Sequence, residues 1–153
     1  MAILINGVDE TQEEIAEEIE IISDHIHGVQ FVYPNLATAV SIASTTGIGS
    51  WTPGGNTEVV PINTITSPYD IHFISIATIS ANANCQLDLY QGADGAGTKI
   101  CSVTFTRNDN FQRSFPLPVI TPLMAANRRV YANLADSADD GITVTFKVWY
   151  HTY

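Results

Sequence analysis

The first 98 residues of this chain contain neither lysine nor arginine. Six basic residues in all (Lys99, Arg107, Arg113, Arg128, Arg129 and Lys147) stand against 16 acidic ones, for a net charge of −10. Phosphate backbones are held by clustered cations, so no nucleic acid is expected as a partner. Long apolar runs are missing too: no window approaches the roughly 18–20 residues that a membrane-spanning helix needs, and no membrane partner is expected. The opening MAILINGVDE has neither a basic start nor an apolar stretch, which predicts a protein made in a cytoplasm without a cleaved leader. Cysteine is nearly absent, Cys85 and Cys101 being too few for a disulfide framework. Charged residues make up only 14% of the 153, while 45% are apolar. That balance suits one domain that buries much of its surface, in its own core or against neighbours.

What is present falls into two periodicities, which divide the chain into a segment 1–29 and a domain 30–153. Residues 9–28 are predicted as one acidic helix. Asp9 or Thr11 can cap it, Thr11 and Glu14 have the spacing of a capping box, and Gly28 is a suitable stop. Ile15, Ile19, Ile22 and Ile26 recur at heptad spacing, with Glu13, Glu14, Glu17, Glu20 and Asp24 on the outer side. Isoleucine at both seam positions favours three or four strands over two. The same stripe could instead pack on the protein's own β domain. Two heptads are short for an independent coiled coil, so trimerisation would need the β domain as well.

From residue 30 the period changes to two. Strands are predicted at 36–43, 57–62, 70–80, 84–90, 98–107, 113–119, 128–135 and 141–153, most of them separated by Gly, Pro, Asn and Asp clusters. About eight short strands without a returning helical period give a mainly β fold: an antiparallel β-sandwich, jelly-roll-like, behind one N-terminal helix. In 141–153, Ile142, Val144, Phe146, Val148 and Tyr150 face one way, and Thr143, Thr145, Lys147, Trp149 and His151 the other. The segment 70–80 reads as apolar on both faces, Ile71 and Phe73 against Ile74 and Ile76. Such a strand is central, or one face is covered by a neighbouring subunit. This makes His72, Ile74, Ile76 and Trp149 the expected inter-subunit residues of the sandwich.

No catalytic, cofactor-binding or metal-binding residue is predicted. His25 and His27 are two apart on a helix and face different directions, so one chain cannot offer both to one ion. His72 and His151 lie on strands with no Cys or carboxylate at ligand spacing, and read as surface or interface residues. The loops Asp136–Gly141 and GADGAG lack the carboxylate pattern of an EF-hand, and turn chemistry accounts for both. GIGSW (47–51) lacks the second glycine of a nucleophile elbow. Glu58, Asp70 and Asp88 stand apart in sequence, and only the fold could pair them. Cys85 and Cys101 are expected opposite each other in a hairpin centred near Ala93; a disulfide is possible, two buried thiols the blander reading. Alternation sends Trp149 outward and Tyr150 inward, so these two and Tyr153 form no three-ring sugar platform.

The segments Phe73–Ile79, Leu87–Gly92, Val103–Arg107, MAANRRVYANLA (124–135) and ITVTFKVWYHTY (142–153), with Pro118 and Pro122, resemble the small β-sandwich decoration or head-fibre proteins of tailed-phage virions. Upstream, Glu17–Gly28 ending in HIHG resembles the helix that precedes such domains. The resemblance covers about two-thirds of the chain, through packing patterns rather than chemical signatures, and 29–69 matches nothing in it. It implies a homotrimer on a capsid surface that bridges major capsid subunits or carries an exposed head. The functional expectation is therefore a non-enzymatic structural protein of a virion, a capsid decoration or cement protein. The competing expectation is a receptor- or glycan-binding head of a fibre, which would need an exposed aromatic or polar groove.

Overall fold

Alternation and turn punctuation produce eleven strands in the computed structural model, which describes residues 3–5, 8–10, 30–47, 49–92, 97–107 and 115–153. The chain divides into two compact units, Met1–Gln30 and Phe31–Tyr153. In the first, β1 (Ile3–Ile5) and β2 (Val8–Glu10) pair antiparallel, with Ile5 opposite Val8. Strand β2 takes residues 9 and 10 from the expected helix, and the Asn6-Gly7 dipeptide between the strands is a strong hairpin signal. The remainder of 9–28, with Ile15, Ile19, Ile22 and Ile26, lies outside the described residues.

Among its described residues the second unit holds nine strands. They are β3 (Phe31–Tyr33), β4 (Val40–Ala43), β5 (Thr57–Val60), β6 (Tyr69–Ile79), β7 (Ala83–Gln91), β8 (Thr98–Arg107), β9 (Phe115–Pro118), β10 (Val130–Asp136) and β11 (Thr143–Thr152). All pairings are antiparallel. One sheet has the order β5-β10-β7-β8; the other has β3-β11-β6-β9, with β4 also on β11. The strand beyond the expected eight is β3, whose three residues end at Pro34, too short a run for alternation to register.

The two sheets share one core. Ile71, Ile74, Ile76, Val144, Phe146 and Val148 come from the five-stranded sheet; Val59, Cys85, Leu87, Leu89, Ala132 and Leu134 come from the other. All twelve are at most 1% exposed, and burying each Val, Ile, Leu or Phe among them contributes about 1.5–3 kcal/mol.

The core also corrects the reading of β6. Ile74 and Ile76, expected on an inter-subunit face, are 0% and 1% exposed inside the chain's own core. The cause is a pair of irregularities in the β6–β11 ladder. Trp149 pairs with Phe73 and Tyr150 with Ile71, so β6 spends His72 as an extra residue; Ala77 is spent likewise between Ile76 and Thr78. Each bulge reverses the facing of the strand residues beyond it. Ile71, Ile74, Ile76 and Ile79 thus all turn inward, although their spacing assigns them to two faces.

The cysteines are displaced for a related reason. Cys85 pairs with Phe105, and Cys101 with Leu89, because the β7–β8 hairpin is centred past the expected Ala93, with Gln91 opposite Thr98, and a register shift between Leu89 and Tyr90 adds one more residue on β8. Both thiols are free, Cys85 buried and Cys101 partly so.

Candidate functional site

The bulge at His72 does more than restore the core. His151 on β11 lies directly opposite Asp70 on β6, and the extra residue sets His72 beside both. Asp70 Oδ1 and His72 Nε2 are 2.9 Å apart. The rings of His72 and His151 lie with centroids 4.2 Å apart, tilted by 34°. One ligand atom from each of the three residues falls within 4.8 Å of the others. His151 is 6% exposed, while the side chains of His72 and Asp70 are 31% and 15% exposed.

The surroundings fix this arrangement. The Val119 N–H donates to the His72 carbonyl at 2.8 Å, and the Ile71 N–H donates to Thr121 Oγ1 at 2.8 Å. These bonds pin the bulged backbone from the side away from β11. The Tyr153 hydroxyl donates to Asp70 Oδ2 at 3.0 Å. Burial pushes the Tyr153 phenol up from its usual range, and the Asp70 carboxylate pushes the same way by hydrogen bond and charge.

Beside the triad the register builds an apolar row across four strands. Val32, Trp149, Phe73 and Pro118 stand opposite one another in turn, on the face that points away from the core. Along the outer edge of β6 runs the continuation of β9, where Ile120 is 89% and Leu123 is 60% exposed. Pro118 and Pro122 in the same stretch are also exposed. On the inward side, Tyr150 stacks on Phe31 at 5.6 Å and meets Tyr69 edge-on at 5.8 Å. Trp149 and Tyr150 therefore part to opposite faces.

The isolated carboxylates each find a cation or imidazole rather than one another. Glu58 lies 3.6 Å from Arg129, Asp70 meets His72 and Asp88 meets Lys99. Asp88 also accepts from Ser102 Oγ at 2.6 Å and Gln86 Nε2 at 3.1 Å. Burial would raise its carboxyl, but the bonds from Lys99, Ser102 and Gln86 outweigh it and hold the group below the usual aspartate range. Asp136 opens the loop before β11 by accepting from the Ala138 and Asp139 N–H groups at 2.8 and 2.6 Å. Asp139 and Gly141 follow at positive φ (59° and 69°), the turn chemistry anticipated for this loop.

His72 and His151 are thus not plain strand residues without a nearby carboxylate. Asp70 stands two residues before His72, a spacing that puts both on one face of a strand. That Asp-x-His signal was visible in the sequence; the cross-strand partner His151 depends on a register that only the fold supplies. His25 and His27 lie outside the described residues.

No protein-family model and no curated protein sequence matches the chain. Among solved structures, the cellobiose complex of CsCBM6-3 from Clostridium stercorarium is similar over 77% of this chain and 84% of that one, at 13% identity and a TM-score of 0.43.

Proposed function

We infer that this chain is a structural contact module of a virion, a decoration or cement protein that forms a homotrimer on a phage capsid and binds the major capsid protein. The jelly-roll-like wiring implied by the phage resemblance belongs to the same reading. The observation that carries it is the set of exposed apolar side chains Pro118, Ile120, Pro122 and Leu123 along one edge, with Ile120 and Leu123 at 89% and 60%. Soluble monomers rarely display contiguous apolar edges, whereas contact surfaces require them. Buried against a neighbouring copy, each of these two side chains contributes up to about 1.5–3 kcal/mol. Many symmetric contacts then hold a shell together by mass action.

The test is the mass of the full chain in solution by light scattering, followed by binding to undecorated capsids. A trimer that breaks to monomers in Ile120→Asp/Leu123→Asp, with loss of capsid binding, supports the reading. A wild-type monomer with no affinity for capsids removes it. A second reading, a glycan-binding head, draws on the Trp149–Phe73 row beside Asp70 and Tyr153. An aromatic surface next to hydroxyl-binding groups suits a sugar ring. Retention on a glycan array, abolished by Trp149→Ala, would favour it over the capsid role.

A further inference from the structure

We propose that Asp70, His72 and His151 form a binding site for a divalent transition-metal ion, with zinc as the fitting probe. The site does not depend on the contact role of Pro118–Leu123.

The donor set points to this class of ion. Two imidazole nitrogens and one carboxylate oxygen are the ligands that zinc and its neighbours in the first transition row take. Calcium and magnesium prefer all-oxygen shells and are poorly served here.

Geometry points the same way. Ligand atoms about 2.1 Å from a tetrahedral zinc lie roughly 3.3 Å apart. Asp70 Oδ1 and His72 Nε2 are already at 2.9 Å, and the full set spans no more than 4.8 Å. Side-chain rotations that move one atom by about an ångström close the set around a 2.1 Å bond length. The residues that must converge are held by a bulge on one strand and a facing residue on the next, not by loops.

Orientation separates a metal site from an ordinary ion pair. An aspartate paired with a protonated histidine normally takes up a near-linear N–H···O bond. Here Asp70 Oδ1 and His72 Nε2 are shielded from solvent and close together, yet no hydrogen bond of acceptable geometry joins them. A ligand atom of His151 lies within 4.8 Å of both, so the three can converge on one ion. The other Asp70 oxygen is held by Tyr153, which orients the carboxylate as a supporting partner orients a metal ligand. Three protein ligands leave a tetrahedral zinc one position for water or an outside donor.

The experiment uses the full chain, stripped with a chelator, dialysed and titrated with zinc chloride by calorimetry. The site predicts one zinc per chain and a higher melting temperature with zinc present. It further predicts that cobalt(II) gives visible absorption bands of a nitrogen- and oxygen-ligated ion. Asp70→Asn and His72→Gln each weaken zinc binding by about tenfold or more, since removing a ligand costs at least as much as removing its supporting partner. Both positions are partly exposed, and far-UV circular dichroism checks that the variants keep the β fold. The double variant His25→Ala/His27→Ala controls for the other histidine pair and retains full binding. Absence of stoichiometric zinc overturns the proposal. So does affinity unchanged in both ligand variants, or affinity lost in the His25/His27 variant alone.

Discussion

Asp88 lies only 3% exposed on the side of β7 that faces away from the core. Its lost hydration is replaced by Lys99, Ser102 and Gln86, which also keep it ionised below the usual aspartate range. Asp88→Ala leaves those donors without their acceptor, and a loss of about 1–3 kcal/mol in urea unfolding is expected. The pH dependence has a definite sign. A carboxyl whose folded pKa is depressed contributes stability that is present above its unfolded value, and this is lost as pH falls through the folded value. Asp136 is lowered as well: burial opposes the shift, while Ser44 and the Ala138, Asp139 and Asp140 N–H groups outweigh it. Stability is therefore expected to fall with acid below about pH 4, and the slope should flatten in Asp88→Asn. The cysteines make a second prediction at this scale. Burial pushes the Cys85 thiol up to about 11, with Asp136 adding to it, and Cys101 is raised for the same first reason. Thiolate is the reactive form, so Cys85 should react with Ellman's reagent only on unfolding. Rapid labelling of both thiols in the native protein would contradict their placement.

At the scale of single elements, β6 shows what alternation can and cannot convey. Its eleven residues were legible as a strand to within one residue at each end, because β-branched and aromatic residues crowd between Pro68 and Ser80. Its facing was not legible. A bulge changes no composition and shows in sequence only as a break in period, which Ile71, Phe73, Ile74 and Ile76 disguise as burial on both sides. The same bulge hid the triad, since His72 gains its neighbours only once His151 is in register. The core placement has a direct test. Ile74→Ala should cost about 2–5 kcal/mol, the range for large-to-small changes in a tight core. The mass of the folded protein should stay unchanged. A stable variant of altered mass would return Ile74 to an interface.

For the whole molecule, the sandwich itself was the most legible feature. Turn clusters fall between well-patterned runs, and a chain with so few charges has only packed sheets in which to place its apolar residues. Connectivity was less legible, because β5 joins β10, and β6 joins β11, across distances that local pattern does not encode. The pattern of surface exposure was least legible. The stretch Pro118–Leu123 reads in sequence like the end of one strand and a loop, and only the fold shows it lining the edge of β6 with Ile120 and Leu123 exposed. If copies meet there, Ile120→Asp/Leu123→Asp should change assembly while leaving the melting temperature of the monomer within a few degrees. Substitutions at exposed sites away from core features usually cost less than about 0.5 kcal/mol.

Strand β11 pairs with β3, β4 and β6, and it comes after all three in the order of synthesis. During translation those strands must wait on the ribosome for the segment that joins them, with apolar residues such as Ile74 and Ile42 still uncovered. Such non-local pairing slows folding and leaves nascent chains open to capture by chaperones or by one another. The five-stranded sheet is therefore expected to form in one late step as Thr143–Thr152 leaves the exit tunnel. A stalled-chain series read by protease protection should show that step as an abrupt gain over those ten residues.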